Sequence, residues 1–307
     1  MNVDKFQLAE EVLRLRLTML AVNEANRSKR FTIPIHLALG HEAIAVAVAQ
    51  TKKPGDNLLL SHRNIHYNIA HQPDSQKVYS EYALTEQGQG QGRFGSMNLV
   101  NPDQGLIYTS SILGNNLCVA SGVAMGSSAR GEDAVTYVVT GDGAMEEGAF
   151  YESCLMMKSM NVPVVLIVEN NGWSMYTQIH ERRCEIDVEK YGEALGIPYA
   201  KLQGNDVVQY AEKLTEIRQH ALDNKTPYIV EVNIYTLGDF WTENKPNAPS
   251  RLINYHHGVA PKISNVRWPE LEENNNDPIH VLCNRFSKEE LQISANKMHQ
   301  ELSGVFQ

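Results

Sequence analysis

The chain has 307 residues and a formal net charge of -9 at pH 7. This length is enough to bury a sizeable core in one large domain or two small ones. The acidic balance argues against nucleic-acid and anionic-membrane partners, because both favour a protein with a basic face.

The chain also lacks the marks of export or membrane insertion. Its longest wholly apolar run, residues 162–168, is too short to cross a bilayer. The N-terminal segment carries Arg14 and Arg16 among acidic residues, which fits neither a secretory signal nor a transit peptide. Four scattered cysteines without a CxxC pair indicate free thiols and no zinc site. The sequence therefore predicts a cytoplasmic protein.

Helical and strand-like patterns alternate along the chain. An amphipathic helix is expected after Asp4, a plausible N-cap, and a second helix after Gly40. Strand-like apolar runs follow at 57–60, 134–140, 162–169 and 228–235, and helical stretches at 114–128, 147–160, 187–195 and 206–222. This order predicts an α/β fold with a doubly wound, mostly parallel sheet.

Three regions are expected along the chain. Residues 1–236 form the α/β domain. Residues 237–276 are irregular and rich in proline and asparagine, and a loop of that length is usually functional or disordered. Residues 277–307 are predicted to form a helical tail that packs on the same domain.

Two polar motifs end neighbouring apolar strands. The sequence GDGA occupies 141–144, and Asn170-Asn171 follows one strand-helix-strand crossover later. Because ligands bind at the carboxyl edge of a doubly wound sheet, Asp142 and Asn171 are expected to converge there. Two hard oxygen donors suit Mg²⁺, which completes its shell with phosphate oxygens. The bare glycines and the following helix N-terminus favour a phosphate. A GDG turn alone is weak evidence, since such turns are common, but the pair of motifs predicts a metal-bridged diphosphate.

Further motifs share their order with a known family. The chain resembles the alpha subunits of the thiamine-diphosphate-dependent 2-oxo acid dehydrogenases, whose substrates include pyruvate, branched-chain oxo acids and acetoin. The matching segments are IPIHLALGHEA (33–43), SHR (61–63), GRFGSMN (92–98), SSILG (110–114), GDGAMEEG (141–148) and ENNGW (169–173). The resemblance implies the thiamine-diphosphate-binding fold, as its diphosphate-binding module.

The resemblance also implies a set of site residues. Thiamine diphosphate would contact His62, Arg63, Ser111, Leu113, Gly141, Asp142, Gly143, Ala144 and Asn171. Asp142, Asn171 and the main-chain carbonyl of Trp173 would ligate Mg²⁺. Without the motif, Arg63 would be read as a surface ion pair and Leu113 as core. His62 stands where many relatives carry tyrosine.

One histidine is the candidate catalytic residue, and another is missing. His36 matches the family histidine that donates to a developing oxyanion or passes a proton, although a lone histidine beside a proline is usually structural. The segment TLGDFW (236–241) lacks the histidine that many relatives place near the cofactor phosphate. His256 and His257 are weaker candidates for that role.

The favoured hypothesis is the alpha subunit of a thiamine-diphosphate- and Mg²⁺-dependent 2-oxo acid dehydrogenase. A beta subunit would supply the catalytic glutamate, most simply in an alpha2-beta2 heterotetramer, and a lipoyl acyltransferase is a further candidate partner. Two alternatives stay open: a two-subunit transketolase-like or lyase enzyme with the same cofactor, and a non-catalytic regulatory paralogue. A Rossmann nucleotide-binding protein is disfavoured, because no GxGxxG follows an early strand.

Overall fold

The structure is a computed structural model that describes residues 4–244, 249–264 and 266–305. Its helices are α1 (Lys5–Arg27), α2 (Glu42–Thr51), α3 (Ile65–Ala70), α4 (Ser75–Tyr82), α5 (Asn115–Ala129), α6 (Gly148–Ser159), α7 (Ile179–Arg182), α8 (Val188–Leu195), α9 (Val207–Asn224), α10 (Pro278–Cys283) and α11 (Lys288–Val305). Its strands are β1 (Asn57–Ser61), β2 (Leu106–Ser110), β3 (Thr136–Gly141), β4 (Val164–Asn170), β5 (Trp173–Ser174), β6 (Thr177–Gln178), β7 (Tyr199–Leu202), β8 (Tyr228–Asn233), β9 (Phe240–Trp241) and β10 (Leu252–Ile253).

Six of these strands form one parallel sheet. Their order is β2-β1-β3-β4-β8-β7, and each neighbouring pair runs parallel. After β1 the chain forms β2 next to one edge of β1, and later forms β3 next to its other edge. This reversal creates a topological switch point between β1 and β3. Gly141 lies opposite Glu169 in the β3–β4 register, so the two polar motifs begin at the same level.

Helices cover both faces of the sheet. Alternate side chains of β3 point to opposite sides: Tyr137 joins the core beneath α1, α2 and α9, whereas Val138 joins the core beneath α5 and α6. Parallel strands that are buried on both faces read as continuous apolar runs, and this is how β3 and β4 appear in the sequence. The predicted doubly wound α/β fold is confirmed.

The predicted elements are found, with one-to-three-residue changes at several ends. Asp4 caps α1, since its side chain accepts a hydrogen bond from the Phe6 amide at 3.0 Å. The prediction omitted α3, α4, β2 and β7, which are four to eight residues long. Such elements are too short to establish a clear period in the sequence. The three-region division of the chain stays a prediction.

A buried ionic cluster joins the C-terminal segment to the first helix. Arg16 donates to Glu42 Oε1 at 2.5 Å and to Asp277 Oδ1 at 2.9 Å, and all three side chains are fully buried. Asp277 also caps α10 by accepting the Ile279 amide at 2.9 Å. These contacts fix α10 against α1, and α11 packs on α1 beside it.

The described helices and cysteines agree with two simpler expectations. No helix in the described part of the chain combines the length and apolar character that a membrane span requires. Cys118, Cys154, Cys184 and Cys283 are all free thiols, as their spacing predicted.

Candidate active site

One cavity of about 310 Å³ lies at the carboxyl ends of β1, β3 and β4, beside the switch point of the sheet. Every site residue predicted from the sequence lines it: His36, His62, Arg63, Ser111, Leu113, Gly141, Asp142, Gly143, Ala144, Asn171 and Trp173. These residues come from five separate segments. Their convergence is what the strand order requires, because parallel strands deliver their carboxyl ends to one edge.

Asp142 is a buried carboxylate that faces a cation. Its Oδ2 accepts a hydrogen bond from Arg182 Nη2 at 2.5 Å, and the Asn171 main-chain amide also donates to it. Burial raises the pKa of Asp142, and Arg182 opposes that rise. The guanidinium thus stands where a metal ion would neutralise the same oxygen. The nearby amide oxygen of Asn171 completes a donor set that suits Mg²⁺.

The backbone beside Asp142 leaves no room for a larger residue. A Cβ atom added to Gly143 would lie 2.8 Å from Ser174 Oγ. The loop continues as one 3₁₀ turn over residues 142–146, and α6 begins two residues later. Gly143 and Ala144 line the cavity close to the N-terminus of α6, an arrangement that favours a bound phosphate.

Arg63 is buried, and its hydrogen bonds go to main-chain oxygens. Nη1 donates to the Leu37 carbonyl, and Nη2 donates to the His256 carbonyl at 3.0 Å. No carboxylate of the described residues lies within ion-pair distance of this guanidinium. Burial lowers the pKa of Arg63, and the more distant charge of Glu169 only partly opposes that shift. The surface ion-pair interpretation of Arg63 is therefore wrong.

Three histidine rings surround Arg63. The His36 ring lies 5.1 Å from that of His62 and 5.2 Å from that of His256, centroid to centroid. Burial, with the Arg63 charge, lowers the pKa of these rings to about 2, 4 and 3 respectively. His36 Nδ1 is buried without a hydrogen-bond partner. The group is a set of neutral rings beside a cation that no carboxylate contacts, which suits an anion.

The segment 254–258 brings His256 into the site. The Tyr255 hydroxyl donates to the Gly258 carbonyl at 2.7 Å, and the Gly258 amide donates to the Ile35 carbonyl at 2.8 Å. Asn254 is tied to the Thr236 carbonyl at 2.7 Å. Sequence reasoning ranked His256 as a weak candidate because it lies far from the motif. The loop contacts, which no local pattern reveals, place His256 beside Arg63. Its role as a substitute for the missing histidine stays a prediction.

A second buried network lies behind the cavity, and sequence reasoning missed it. Glu169 ends β4 and accepts hydrogen bonds from Tyr67 at 2.9 Å, His66 at 3.1 Å and His41 at 3.3 Å. His41 and Glu169 also line the cavity. Both residues stand inside motifs that the sequence singled out, GHEA and ENNGW, so their positions were the available signal.

The outer rim of the cavity is apolar and exposed. Leu113 has 42% of its surface accessible and Ile112 has 68%. Ser111 precedes them on the same exposed segment after β2. Leu113 is thus not a core residue, which excludes that alternative. Large exposed apolar side chains beside a cavity indicate a surface that a ligand or another protein covers.

Comparison with known proteins identifies the family. A family model described as "Dehydrogenase E1 component" matches residues 10–247. The chain belongs to this family. The resemblance to alpha subunits of the thiamine-diphosphate-dependent 2-oxo acid dehydrogenases, inferred above from the motifs, is confirmed. The matched range includes the predicted site residues, and His256 lies beyond it.

Curated relatives of this chain include proteins named pyruvate dehydrogenase E1 component subunit alpha. The Rickettsia prowazekii protein is 30% identical over 200 residues, which are 65% of this chain and 61% of that protein. The mitochondrial Saccharomyces cerevisiae protein is 27% identical over 232 residues, 76% of this chain and 54% of that protein. The matches therefore span less than two thirds of these relatives.

Solved structures confirm the fold of this chain at low identity. A transketolase from Pichia stipitis superimposes with a TM-score of 0.62 at 15% identity, covering 98% of this chain and 45% of that one. A Campylobacter jejuni transketolase gives 0.61 at 17% identity, covering 100% of this chain and 48% of that one. Such similarity shows a shared architecture.

Proposed function

We propose that this chain is the alpha subunit of a thiamine-diphosphate- and Mg²⁺-dependent 2-oxo acid dehydrogenase. The observation that supports it most strongly is the convergence of Asp142, Asn171, the Gly143 backbone and Arg63 on one cavity at the switch point. When bound, thiamine diphosphate supplies the ring chemistry that cleaves the carboxylate from a 2-oxo acid. The chain's own residues bind and orient the reactants.

The proposed roles of the site residues follow from their charges: oxygen ligands bind the metal ion, and N–H donors bind the diphosphate. The Asp142 carboxylate and the side-chain oxygen of Asn171 would hold Mg²⁺, with the main-chain carbonyl of Trp173 as a third ligand. The amides of Gly143 and Ala144 and the Arg63 guanidinium would receive the diphosphate oxygens. Arg182 would then exchange its contact with Asp142 for another partner. Gly141, Ser111, Leu113 and His62 would complete the contacts with the cofactor.

His36 is the proposed catalytic residue. Its ring is buried with a free Nδ1, lies beside His62 and His256, and lines the cavity. Because its pKa is about 2, lowered by burial and by Arg63, the ring is neutral at pH 7. A neutral imidazole donates a hydrogen bond to a developing oxyanion or relays a proton without adding charge.

His256 is proposed to take the place of the missing turn histidine. Its ring centroid lies 5.9 Å from that of His62, and its Nδ1 lies 3.4 Å from Arg63 Nη2. A bound phosphate or carboxylate would compensate Arg63 and favour a proton on this ring. The regulatory-paralogue alternative rested on the missing histidine, so the position of His256 removes its main support.

A partner chain is proposed to cover the exposed apolar surface. Besides Ile112 and Leu113, α6 exposes Leu155 and Met156, at 54% and 48% accessibility. Several large apolar side chains with exposures this high mark a candidate surface for contact with another protein. We propose a beta subunit there, which supplies the catalytic glutamate in an alpha2-beta2 assembly, and a lipoyl acyltransferase as acceptor of the product.

The test is reconstitution with the protein encoded beside this chain. Both chains are co-expressed, and a panel of 2-oxo acids is screened for reduction of lipoyl groups and of an artificial acceptor, with thiamine diphosphate and Mg²⁺ present. We expect turnover from the pair and none from this chain alone.

Two results would contradict the proposal. Full activity from the isolated chain would exclude the need for a beta subunit. Transfer of a two-carbon unit between sugars, without reduction of lipoyl groups or of the artificial acceptor, would favour the transketolase-like alternative. Calorimetry that shows no cofactor binding to the assembled pair would reject both catalytic interpretations.

A further inference from the structure

The orientation of the Asn171 side chain decides whether it can bind a cation. An amide offers a cation its oxygen, while its nitrogen repels the same ion. The two ends look alike in shape, so their assignment follows from hydrogen-bond partners. Asn171 Nδ2 lies 2.9 Å from Thr236 Oγ1, and Oδ1 accepts the Trp173 amide at 3.1 Å. Both contacts assign the nitrogen to the Thr236 side.

Thr236 continues the chain of contacts away from the cavity. Its hydroxyl lies 2.8 Å from His41 Nε2, and His41 Nδ1 lies 3.3 Å from Glu169 Oε2. The other oxygen of Glu169 receives Tyr67 and His66. Thr236 and His41 are both buried, so water does not compete for the bond between them.

The donors and acceptors in this chain have one consistent direction. The Tyr67 hydroxyl and the rings of His66 and His41 all point at Glu169, so its two carboxylate oxygens act as acceptors. Burial lowers the pKa of His41. A neutral His41 that donates from Nδ1 to Glu169 must accept at Nε2. The Thr236 hydroxyl therefore donates to His41, and its oxygen accepts the Asn171 amide hydrogen.

We propose that Glu169, His41 and Thr236 are positioning residues that keep the Asn171 oxygen available to the metal ion. This inference rests on the proposed function, which places Mg²⁺ between Asp142 and Asn171. A relay of hydrogen bonds through His41 and Thr236 thus connects Glu169, in β4, to the side chain of Asn171. Outer partners of this kind typically change metal affinity 10- to 100-fold when they are removed.

The test compares Thr236→Val with Thr236→Ser. Valine keeps the shape but removes the hydroxyl, so the Asn171 nitrogen and His41 Nε2 lose their partner. Serine keeps the hydroxyl. Thr136→Val is the matched control, because Thr136 is a buried threonine whose hydroxyl has no hydrogen-bond partner.

The probe is Mn²⁺, followed by the electron paramagnetic resonance of the free ion in the presence of thiamine diphosphate, with the chain in its assembled complex. We expect Thr236→Val to raise the Kd for Mn²⁺ about tenfold or more. Thr236→Ser and Thr136→Val should stay within about twofold of the wild-type Kd.

A double-mutant cycle separates positioning from a general loss of structure. Asn171→Asp presents oxygen at both ends, so its orientation no longer matters to the cation. Adding Thr236→Val to that variant should change the Kd less than about twofold. An equal effect of Thr236→Val in both backgrounds would overturn the relay.

The remaining outcomes are also decisive. If the wild-type complex binds Mn²⁺ and Thr236→Val binds it equally well, the relay is wrong and the proposed function stands. If the wild-type complex does not bind Mn²⁺ with thiamine diphosphate, both fail. If Thr236→Val does not fold, His41→Leu removes the relay one step earlier and is held to the same tenfold expectation.

Discussion

Arg16 and Arg63 are both buried guanidinium groups, and their surroundings are opposite. Arg16 donates to the carboxylates of Glu42 and Asp277 and to the Pro269 carbonyl at 2.9 Å. Arg63 donates to the carbonyls of Leu37 and His256. The first cation is compensated inside the fold, whereas the second has an open cavity in front of it.

The difference separates residues that hold the fold from residues that bind ligand. A buried charge that is already paired with its counter-ion has a structural role and is not available to bind a ligand. A buried charge that faces only neutral groups is held in place by the rest of the fold and gains most from an anion. Substitutions in the two regions should therefore affect different measurements.

The largest effect is expected from Asp142→Ala. Removing the carboxylate takes away the one charged ligand among the three proposed protein ligands of the metal, so metal-dependent binding of thiamine diphosphate should fall at least a thousandfold, about 4 kcal/mol. Isothermal calorimetry with Mg²⁺ measures it, and circular dichroism checks the fold. Unchanged cofactor affinity would place the metal elsewhere.

Arg16→Met is expected to show the opposite behaviour. It leaves Glu42 and Asp277 buried without their cation, so the free energy of unfolding should fall by about 3 to 5 kcal/mol. Urea denaturation measures the change. Arg130→Met, which removes an exposed pair with Glu132, is the matched control and should lose much less stability than Arg16→Met. Equal losses in both variants would show that the Arg16 cluster is not a structural anchor.

His36→Ala tests the catalytic assignment. Without the proposed donor to the oxyanion, kcat of the assembled enzyme should fall about 100-fold, while the affinity for thiamine diphosphate changes less than tenfold. Steady-state kinetics and calorimetry together give both numbers. His220→Ala, on the exposed face of α9, is the control for a distant histidine. Wild-type turnover, or loss of cofactor binding, would each contradict the role.

Acidification should weaken the histidine cluster. The pKa of His62 is about 4 in the fold, because burial and Arg63 lower it, and near 6.5 when unfolded. The unfolded chain therefore binds the proton first, and stability falls as the pH drops from above 6.5 towards 4. Between about pH 7 and pH 5 this residue should account for a loss of about 2 kcal/mol.

Denaturation of His62→Gln at the two pH values measures that loss by difference. His36, His256 and Arg63 face the same ring, so they remain in place in both proteins. The variant should lose about 2 kcal/mol less stability than the wild type on acidification. Parallel losses in the two proteins would show that His62 does not titrate as its surroundings indicate.

The smallest effect is expected from His256→Ala. Its ring is one of several contacts with the proposed anion, so the affinity for thiamine diphosphate should fall about three- to tenfold, near 1 kcal/mol. His257→Ala, at an exposed neighbouring position, should change it less. A larger effect at His257 would reverse the assignment of the substitute histidine.

Much of the fold was predictable because its strands carry a strong signal. Buried parallel strands such as β3 and β4 are continuous apolar runs, and their ends carry Asp142 and Asn171. The edge strand β7 has four residues, one of them the exposed Lys201, and gives no such signal. Helix α3 is only six residues long, and its polar residue His66 is fully buried. The partner of His66, Glu169, lies 103 positions away.

The site was predictable where a motif carried it, and not where long-range contacts complete it. Asp142, Arg63 and His36 stand in local patterns. Arg182 reaches Asp142 across 40 positions, and His256 meets Arg63 across 193. A single sequence contains no record of such pairings. The local motifs therefore predict the proposed metal ligands Asp142 and Asn171, but they do not predict all the residues around Arg63.

Gly40 lies where an early segment of the chain contacts a much later one, next to the proposed site. Its φ is +96°, and a Cβ there would lie 2.1 Å from the Tyr235 carbonyl oxygen. The Leu237 amide donates to the Leu39 carbonyl at 2.9 Å, and His41 meets Thr236 across 195 positions. Closing so long a loop is slow. During refolding, binding competence will thus arise only after the two ends of the α/β domain have met.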